Sequence, residues 1–202
     1  MVRKTKRIGI YAGTFDPVHA GHIGFALQAI EIAKLEKVFF LPERKPRHKP
    51  DVEHFGHRTA MITRAIRPHT KLVLLELPDI YFDVARTLPK LQKEFANQQI
   101  VFLMGADVAK QIETWPGIKK LLKQCELIVG LRSNDQKPDV IKKLELSGLD
   151  FSKLTLIESA APHVASSKIR EALRHKGSAR GLLSSVRRYA RAQWLYVSVS
   201  DK

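Results

Sequence analysis

Short apolar runs that alternate with segments of helical periodicity constrain the fold of this 202-residue chain more than any other feature. Six runs have the length and composition of buried strands, at residues 8–12, 38–41, 71–75, 99–104, 127–131 and 154–157. Apolar residues at helical spacing predict helices over residues 22–35, 55–66, 84–95, 115–124, 166–174 and 182–194. Pro89 falls inside the third helix and predicts a kink or a break there. This alternation predicts an α/β fold of the doubly wound, Rossmann-like class, with a mostly parallel sheet covered by helices on both faces.

The length suits one main domain, which we place at residues 1–176, with a C-terminal helical extension at 177–202 packed on it. No apolar run approaches the roughly 20 residues needed to cross a bilayer, and the apolar run after the basic start is too short for a secretory signal. The single cysteine, Cys125, lies in an apolar run and predicts a buried, inert thiol. We therefore expect a cytoplasmic protein without a membrane partner.

A formal net charge of +15 sets the class of partner but not its identity. Residues 168–202 alone carry nine Lys or Arg and only two acidic residues. Such a surplus attracts polyanions generally, whether nucleotide phosphates, nucleic acid or an acidic membrane face.

The loop after the first predicted strand carries the residues that point most directly to chemistry. It leads into a helix and reads Gly13-Thr14-Phe15-Asp16-Pro17-Val18-His19-Ala20-Gly21-His22. Glycine lets a backbone approach a phosphate closely, and a helix start offers unpaired amides and partial positive charge. His19 and His22 are three residues apart, so both imidazoles can face one phosphate group. A solvated turn or a metal site would also explain two histidines, but no suitably spaced carboxylate or cysteine accompanies them, and we predict no protein-bound metal.

This decapeptide closely resembles the signature of the nucleotidyltransferase superfamily whose hallmark is His-x-Gly-His. The resemblance implies ATP bound over the first loop, with Mg²⁺ held mainly by the ATP phosphates. It implies that His19 and His22 are catalytic. The ATP-binding residues that it implies in this loop are Gly13, Thr14, Phe15, Gly21 and His22.

A second segment near the other end of the chain supports the first. Serine hydroxyls and amides at a helix start, with Arg170 one turn in, suit a polyanion, although an ordinary helix cap would explain them equally well in isolation. Together with the first motif, residues 164–170 resemble the superfamily's Ile-Ser-Ser-Thr-x-Ile-Arg segment, which holds the ATP phosphates. The resemblance implies ATP contacts by Ser166, Ser167 and Arg170, the last of them also catalytic. Ala165 replaces the first serine of that segment.

Further matches resemble the nicotinate mononucleotide adenylyltransferase family within this superfamily. Residues 46–49 resemble its loop after the second strand, Gly105 and Asp107 its Gly-x-Asp near a ribose, and residues 114–115 its Thr-Trp against the pyridine ring. The resemblance implies ATP contacts at Gly105 and Asp107. It implies a catalytic, acceptor-binding Lys49 and further acceptor contacts at Arg58, Thr87, Trp115 and Arg132. Taken singly, these residues would also suit a helix cap, core packing or a solvated surface.

One departure concerns the acceptor. Residues 82–84 read Phe-Asp-Val where the family has Ser-Tyr-Thr close to the pyridine nucleotide. An inward-pointing Asp83 would disfavour a nicotinate carboxylate. The sequence therefore leaves the acceptor open between nicotinate mononucleotide, its amide and another phosphorylated molecule.

From these motifs we predict a nicotinate-nucleotide adenylyltransferase of NAD biosynthesis, which moves AMP from ATP to nicotinate mononucleotide and gives deamido-NAD and pyrophosphate. An ionised acceptor phosphate needs no general base, so the enzyme would act by positioning and charge stabilisation. The alternative from another class is a nucleic-acid-binding protein that retains the fold, with Arg187, Arg188 and Arg191 meeting phosphates. The absence of a nucleic-acid-binding motif and the 7% aromatic content favour the enzyme. A homo-oligomer is left open.

Overall fold

The computed structural model describes residues 5–46, 49, 51–131, 137–159, 161 and 163–197 of the chain. Within these ranges six strands form one sheet: β1 Lys6–Gly13, β2 Lys37–Pro42, β3 Leu72–Leu74, β4 Gln98–Gly105, β5 Glu126–Leu131 and β6 Leu154–Glu158. The helices are α1 Ala20–Ala33, α2 Phe55–Ile66, α3 Val84–Glu94, α4 Ala106–Ala109, α5 Ile118–Gln124, α6 Lys137–Leu146, α7 Ser166–Lys176 and α8 Ser184–Ala192, with a 3₁₀ turn at Ile112–Thr114.

The sheet has the strand order β3-β2-β1-β4-β5-β6, and all neighbouring strands run parallel. The order reverses between β1 and β4, and in open α/β sheets ligands bind beyond the carboxyl ends of the strands at such a reversal. The predicted Rossmann-like α/β class is therefore confirmed. The loops after Gly13 and Gly105 flank the point of reversal.

Apolar side chains cover both faces of the sheet because successive strand residues point to opposite sides. On β1 and β4, Ile10 and Phe102 belong to one buried cluster, whereas Tyr11 and Leu103 belong to the other. Helices α1, α2 and α8 contribute to the cluster around Tyr11, and α3, α5 and α6 contribute to the opposite one. This two-sided burial explains the nearly continuous apolar runs of the central strands.

The structure differs from the predicted elements at several places. The predicted helix over 115–124 begins only at Ile118, since Trp115 precedes a proline and is extended (φ −76°, ψ 123°), and Gly117 is left-handed (φ 79°). Helix α3 continues through Pro89, so the predicted break is absent. Helix α6 was not predicted, and only Val140 and Leu144 of its ten residues are buried.

The segment after Lys176 packs on the rest of the domain. Helix α7 ends at Gly177, which is left-handed (φ 62°), and α8 then lies against α2. Val186, Ala190 and Tyr196 belong to the same buried cluster as the sheet residue Tyr11. The division of the chain after residue 176 stays a prediction. None of the helices in the described ranges is both long and apolar enough to span a bilayer.

The buried thiol of Cys125 gives a first testable expectation. Burial raises the pKa of Cys125 to about 12, and the residue is 3% exposed. The thiolate is the reactive form of cysteine, and at this pKa its fraction at neutral pH is on the order of 10⁻⁵. We expect iodoacetamide to leave the folded protein unmodified at pH 7 and to alkylate Cys125 fully in guanidinium chloride, as measured by mass spectrometry. Rapid alkylation of the folded protein would contradict this assignment.

Candidate active site

A cavity of about 540 Å³ opens at the carboxyl ends of β1, β4 and β5, where the strand order reverses. Its size falls within the usual range for small-molecule sites. All of the predicted ATP-binding and catalytic residues line it, namely Gly13, Thr14, Phe15, His19, Gly21, His22, Lys49, Gly105, Asp107, Ser166, Ser167 and Arg170. The structure thus brings the two motifs from opposite ends of the chain to one cavity.

The two histidines of the first motif form a stacked pair at the start of α1. Their ring centroids are 3.7 Å apart with an interplanar angle of 22°, and His19 is 5% exposed while His22 is half-buried. The backbone amide of His19 donates a hydrogen bond to Nδ1 of His22 at 3.3 Å. Because Nδ1 accepts, the neutral imidazole of His22 carries its proton on Nε2, which makes that atom a donor for a phosphate oxygen.

Two residues of the motif shape the backbone beneath this pair. A Cβ atom on Gly21 would lie 3.1 Å from ring atoms of His19, so glycine leaves room for the stacked imidazole. Phe15 has a left-handed backbone (φ 53°), which non-glycine residues rarely adopt, and is 2% exposed. Its ring lies edge-on to His22, with centroids 5.1 Å apart, and therefore supports the imidazole from the protein side.

Asp16 joins the first motif to the second and to the C-terminal extension. It is 1% exposed, and its backbone carbonyl accepts a hydrogen bond from Arg170 at 2.7 Å. Its carboxylate accepts hydrogen bonds from the hydroxyl of Tyr196 and, at 3.4 Å, from the amide of Glu53. A second link between the motifs runs from the Ser166 hydroxyl to the Pro17 carbonyl at 3.0 Å.

The start of α7 presents backbone amides toward the cavity. Its N-cap residue is Ala165, whose methyl side chain has no acceptor atom for the amides of the first turn. These amides and the partial positive charge of an eleven-residue helix favour an anion at this position. The replacement of a family serine by Ala165 therefore removes a hydroxyl without closing the anion-binding end of the helix.

Lys49 reaches the first motif from the loop that follows β2. Its ammonium group donates a hydrogen bond to the Thr14 hydroxyl at 3.0 Å, and the side chain is exposed at the cavity. Of the neighbouring motif residues, Arg47 and His48 lie outside the described residues, and so does the predicted acceptor residue Arg132.

Arg58 does not line this cavity, and its acceptor contact stays a prediction. It is 1% exposed, and its guanidinium donates to the backbone carbonyls of Thr14, Glu43, Arg44 and Glu53 at 2.7–3.0 Å. Burial lowers the pKa of Arg58, and the charge of Asp16 opposes that effect. The contacts give Arg58 a structural role, in which it joins the first motif to the loop after β2.

Replacement of Arg58 by methionine is expected to lower the free energy of unfolding by about 3 kcal/mol, because buried carbonyls lose a charged donor. Urea unfolding followed by circular dichroism measures this. Arg67→Met is the matched control, since Arg67 is exposed at the end of the same helix, and we expect a change within about 0.5 kcal/mol. Equal stability of Arg58→Met and the parent protein would contradict the structural role.

The predicted acceptor residues Thr87 and Trp115 lie apart from this cavity lining. Thr87 is 1% exposed, and its hydroxyl accepts a hydrogen bond from the Asp83 amide at 3.2 Å. Trp115 is half-buried and packs against Phe82, with ring centroids 5.8 Å apart. The Asp83 carboxylate caps α3 by accepting from the Arg86 amide at 3.1 Å, which explains an aspartate at this position without an acceptor contact.

Within the described ranges, no group of three or more His, Cys, Asp or Glu side chains could hold a metal ion. The polar lining of the cavity combines imidazoles, serine hydroxyls and the cations of Lys49 and Arg170 with the carboxylates of Asp16, Asp51 and Asp107. The imidazoles, hydroxyls and cations suit the oxygens of a phosphate chain.

Residues 10–172 match the sequence model of the family described as cytidylyltransferase-like. The chain belongs to this family. Relatives confirm the resemblance seen in the sequence and the predicted enzyme class, a nucleotidyltransferase. A Halalkalibacterium halodurans protein is 34% identical over 82% of this chain and 79% of its own length, and a Desulfitobacterium hafniense protein is 31% identical over 95% and 96%. Both carry the name "probable nicotinate-nucleotide adenylyltransferase".

Solved structures show the same fold as this member of the cytidylyltransferase-like family. The nicotinic acid mononucleotide adenylyltransferase of Plasmodium falciparum in complex with NaAD superposes with a TM-score of 0.78. The match covers 95% of this chain and 97% of the other, at 22% identity. At that identity the likeness supports the Rossmann-like architecture.

Two residues that contact each other beside the cavity, Asp16 and Tyr196, were not assigned a role from the sequence. Asp16 stands inside the first motif, but an aspartate before proline there also suits a loop. Tyr196 stands 180 residues away in a basic segment and outside the matched residues 10–172. The only signal for this contact in the sequence is a tyrosine among apolar residues. If such a tyrosine is buried, its hydroxyl requires a hydrogen-bond partner.

Proposed function

We propose that this protein is an adenylyltransferase that moves AMP from ATP to nicotinate mononucleotide and releases pyrophosphate and deamido-NAD. The observation that carries the proposal is the meeting of two phosphate-binding motifs at the sheet's point of reversal. Arg170 and Ser166 of the second motif bond the backbone of Asp16 and Pro17 in the first. A triphosphate in the cavity would therefore face both helix starts at once.

The lining of the cavity supplies groups that suit both parts of ATP. Its polar groups include His19, His22 and Arg170, which suit the phosphates. Its apolar groups include Val108, which is 41% exposed and suits contact with the adenine ring. Asp107 also lines the cavity, and the resemblance seen in the sequence assigns it to the ribose.

The reaction requires one bond to form and one to break at the α-phosphorus. An oxygen of the acceptor's phosphate attacks this atom, and the bond to the bridging oxygen of the β-phosphate breaks, so pyrophosphate leaves with the electron pair. The Nε2–H donor of His22 and the cation of Arg170 would stabilise charge on the phosphate oxygens as it grows. Lys49 would orient the acceptor's phosphate.

Mg²⁺ would be held mainly by ATP phosphate oxygens, because the cavity lining supplies phosphate-binding donors and the described part of the chain has no multidentate metal cluster. When bound, the ion would neutralise negative charge on the leaving pyrophosphate.

Nicotinate mononucleotide is proposed as the acceptor from the names of the relatives and from Trp115, whose half-buried indole offers a face for a pyridine ring. The Oδ1 atom of Asp83 accepts a hydrogen bond from the Arg86 amide, and this capping contact supports a carboxylate directed to the start of α3. Three statements remain predictions: an acceptor contact at Arg132, a homo-oligomeric assembly and a cytoplasmic location.

A matrix assay tests the proposal most directly. Pyrophosphate release is measured for ATP and CTP, each combined with nicotinate mononucleotide, nicotinamide mononucleotide and phosphopantetheine. We expect ATP with nicotinate mononucleotide to give the highest kcat/KM. A higher kcat/KM with nicotinamide mononucleotide would change only the proposed acceptor. Absence of pyrophosphate release with every pair would overturn adenylyl transfer.

Binding of nucleic acid is the second candidate function, and one surface favours it. A concave region of about 280 Å³ is lined by Gly177, Ser184, Arg187, Arg188 and Arg191, without a carboxylate. Fluorescence anisotropy with a labelled RNA across a salt series tests this candidate. Tight binding with a steep salt dependence, lost in Arg187→Ala/Arg188→Ala, would support it.

A further inference from the structure

We infer that the C-terminal extension is a positioning element of the active site and that it acts through the hydroxyl of Tyr196 on Asp16. The inference rests on the proposed function, since it concerns the loop that would hold the ATP phosphates. Tyr196 would not touch the substrate. It would hold the loop in the geometry that turnover requires.

The contact between Tyr196 and Asp16 is buried and directed. Tyr196 is 6% exposed and Asp16 is 1% exposed, and the hydroxyl donates to Oδ1 of the carboxylate. Burial, reinforced by the charge of Asp16, raises the pKa of Tyr196 far above its ordinary value, so the hydroxyl keeps its proton. A hydrogen bond between a neutral donor and a charged acceptor in such surroundings is stronger than an exposed one.

The backbone around Tyr196 is shaped for this contact. Trp194 and Tyr196 both have left-handed φ values, 52° and 62°, and non-glycine residues adopt such values only where surrounding contacts compensate. The resulting bend places the ring of Tyr196 in the core beside the first motif, while Trp194 is 62% exposed. An ordinary helix end would not require two such residues within three positions.

Asp16 transmits this contact to a group at the cavity. Its backbone carbonyl accepts the 2.7 Å hydrogen bond from Arg170, and its Oδ2 atom lies 3.9 Å from the same guanidinium. A shift of Asp16 would therefore move Arg170 as well as the loop. Even a displacement of about 1 Å in a positioning group costs a large factor in rate.

The extension contacts both phosphate-binding motifs at a second point. The carbonyl of Gly181 accepts a 2.9 Å hydrogen bond from the amide of Ala20, the first residue of α1. Gly181 is left-handed (φ 80°), and a Cβ atom there would lie 2.4 Å from the Val164 side chain, just before α7. The extension thus touches the starts of α1 and α7.

The test compares Tyr196→Phe with Tyr189→Phe. Each change deletes one hydroxyl from the extension, but the Tyr189 hydroxyl bonds Nδ1 of His57 at 3.0 Å, away from Asp16. At 25 °C, with folding verified by circular dichroism, we expect kcat for pyrophosphate release to fall about tenfold in Tyr196→Phe, with the KM for ATP within twofold of its original value. We expect Tyr189→Phe to keep kcat within twofold.

A double-mutant cycle with Asp16→Asn separates positioning from general destabilisation. If Tyr196 acts through Asp16, adding Tyr196→Phe to Asp16→Asn lowers kcat by less than twofold further. Independent losses that multiply in the double variant, or a Tyr196→Phe protein with unchanged kcat, would overturn the inference and leave the proposed function standing.

Hydrogen exchange gives a readout that does not depend on the reaction. We expect the amides of residues 13–22 to exchange at least fivefold faster in Tyr196→Phe than in Tyr189→Phe. If the parent protein releases no pyrophosphate with any acceptor, the proposed function fails and this comparison alone decides the inference. Equal exchange in the two variants would overturn it.

Discussion

Replacement of His22 by alanine is expected to lower the turnover number for pyrophosphate release by about 10²–10³, because one donor aimed at the reacting phosphate is lost. The stability of the protein should change far less, since His22 is half-buried and sits at the cavity. Steady-state kinetics at saturating ATP and acceptor measure the first quantity, and thermal unfolding measures the second.

The control for this prediction is His175→Ala. His175 is exposed in the last turn of α7, so its loss should leave turnover within twofold. His22→Gln adds a finer comparison, because its amide can donate from nearly the same position and should restore part of the lost rate. A His22→Ala protein with turnover near that of the parent would remove His22 from the catalytic machinery.

Replacement of Arg170 by alanine should also lower turnover by about 10²–10³, because the change deletes the cation of the second motif and the bond to the Asp16 carbonyl together. Arg170→Lys keeps a positive charge but loses the planar fork of the guanidinium, and we expect it to lie between the parent and the alanine variant. Pyrophosphate release across a range of ATP concentrations measures both variants.

Arg174 supplies the matched control for Arg170. It lies one turn further along α7 and is exposed, so Arg174→Ala removes the same charge from the same helix without touching Asp16 or the cavity lining. We expect its turnover to stay within twofold. Equal losses in Arg170→Ala and Arg174→Ala would mean that the helix contributes only its overall charge.

The sheet and the first motif could be predicted because their signals are local. Buried parallel strands are continuous apolar runs, and the strand before Gly13 needs no distant partner to be recognised. The decapeptide holds its own geometry through neighbours such as Phe15 under His22 and Gly21 beside His19. Short-range patterns of this kind are legible in a single sequence.

The burial of Arg58 could not be predicted, because a buried arginine and an exposed arginine look alike in sequence. The difference lies in four backbone carbonyls, one of them 44 residues earlier in the chain. Helix α6 escaped prediction for another reason, since its apolar pattern around Val140 and Leu144 spans little more than one helical turn.

The contact from Tyr196 to Asp16 also fixes an order of events during protein synthesis. Asp16 leaves the ribosome 180 residues before the side chain that holds its carboxylate. At typical elongation rates of roughly 5–20 residues per second, that interval is on the order of ten to forty seconds. A nascent chain that has already formed β1 and the first loop still lacks this hydrogen bond, so the loop would reach its final geometry only after Tyr196 has emerged and folded back.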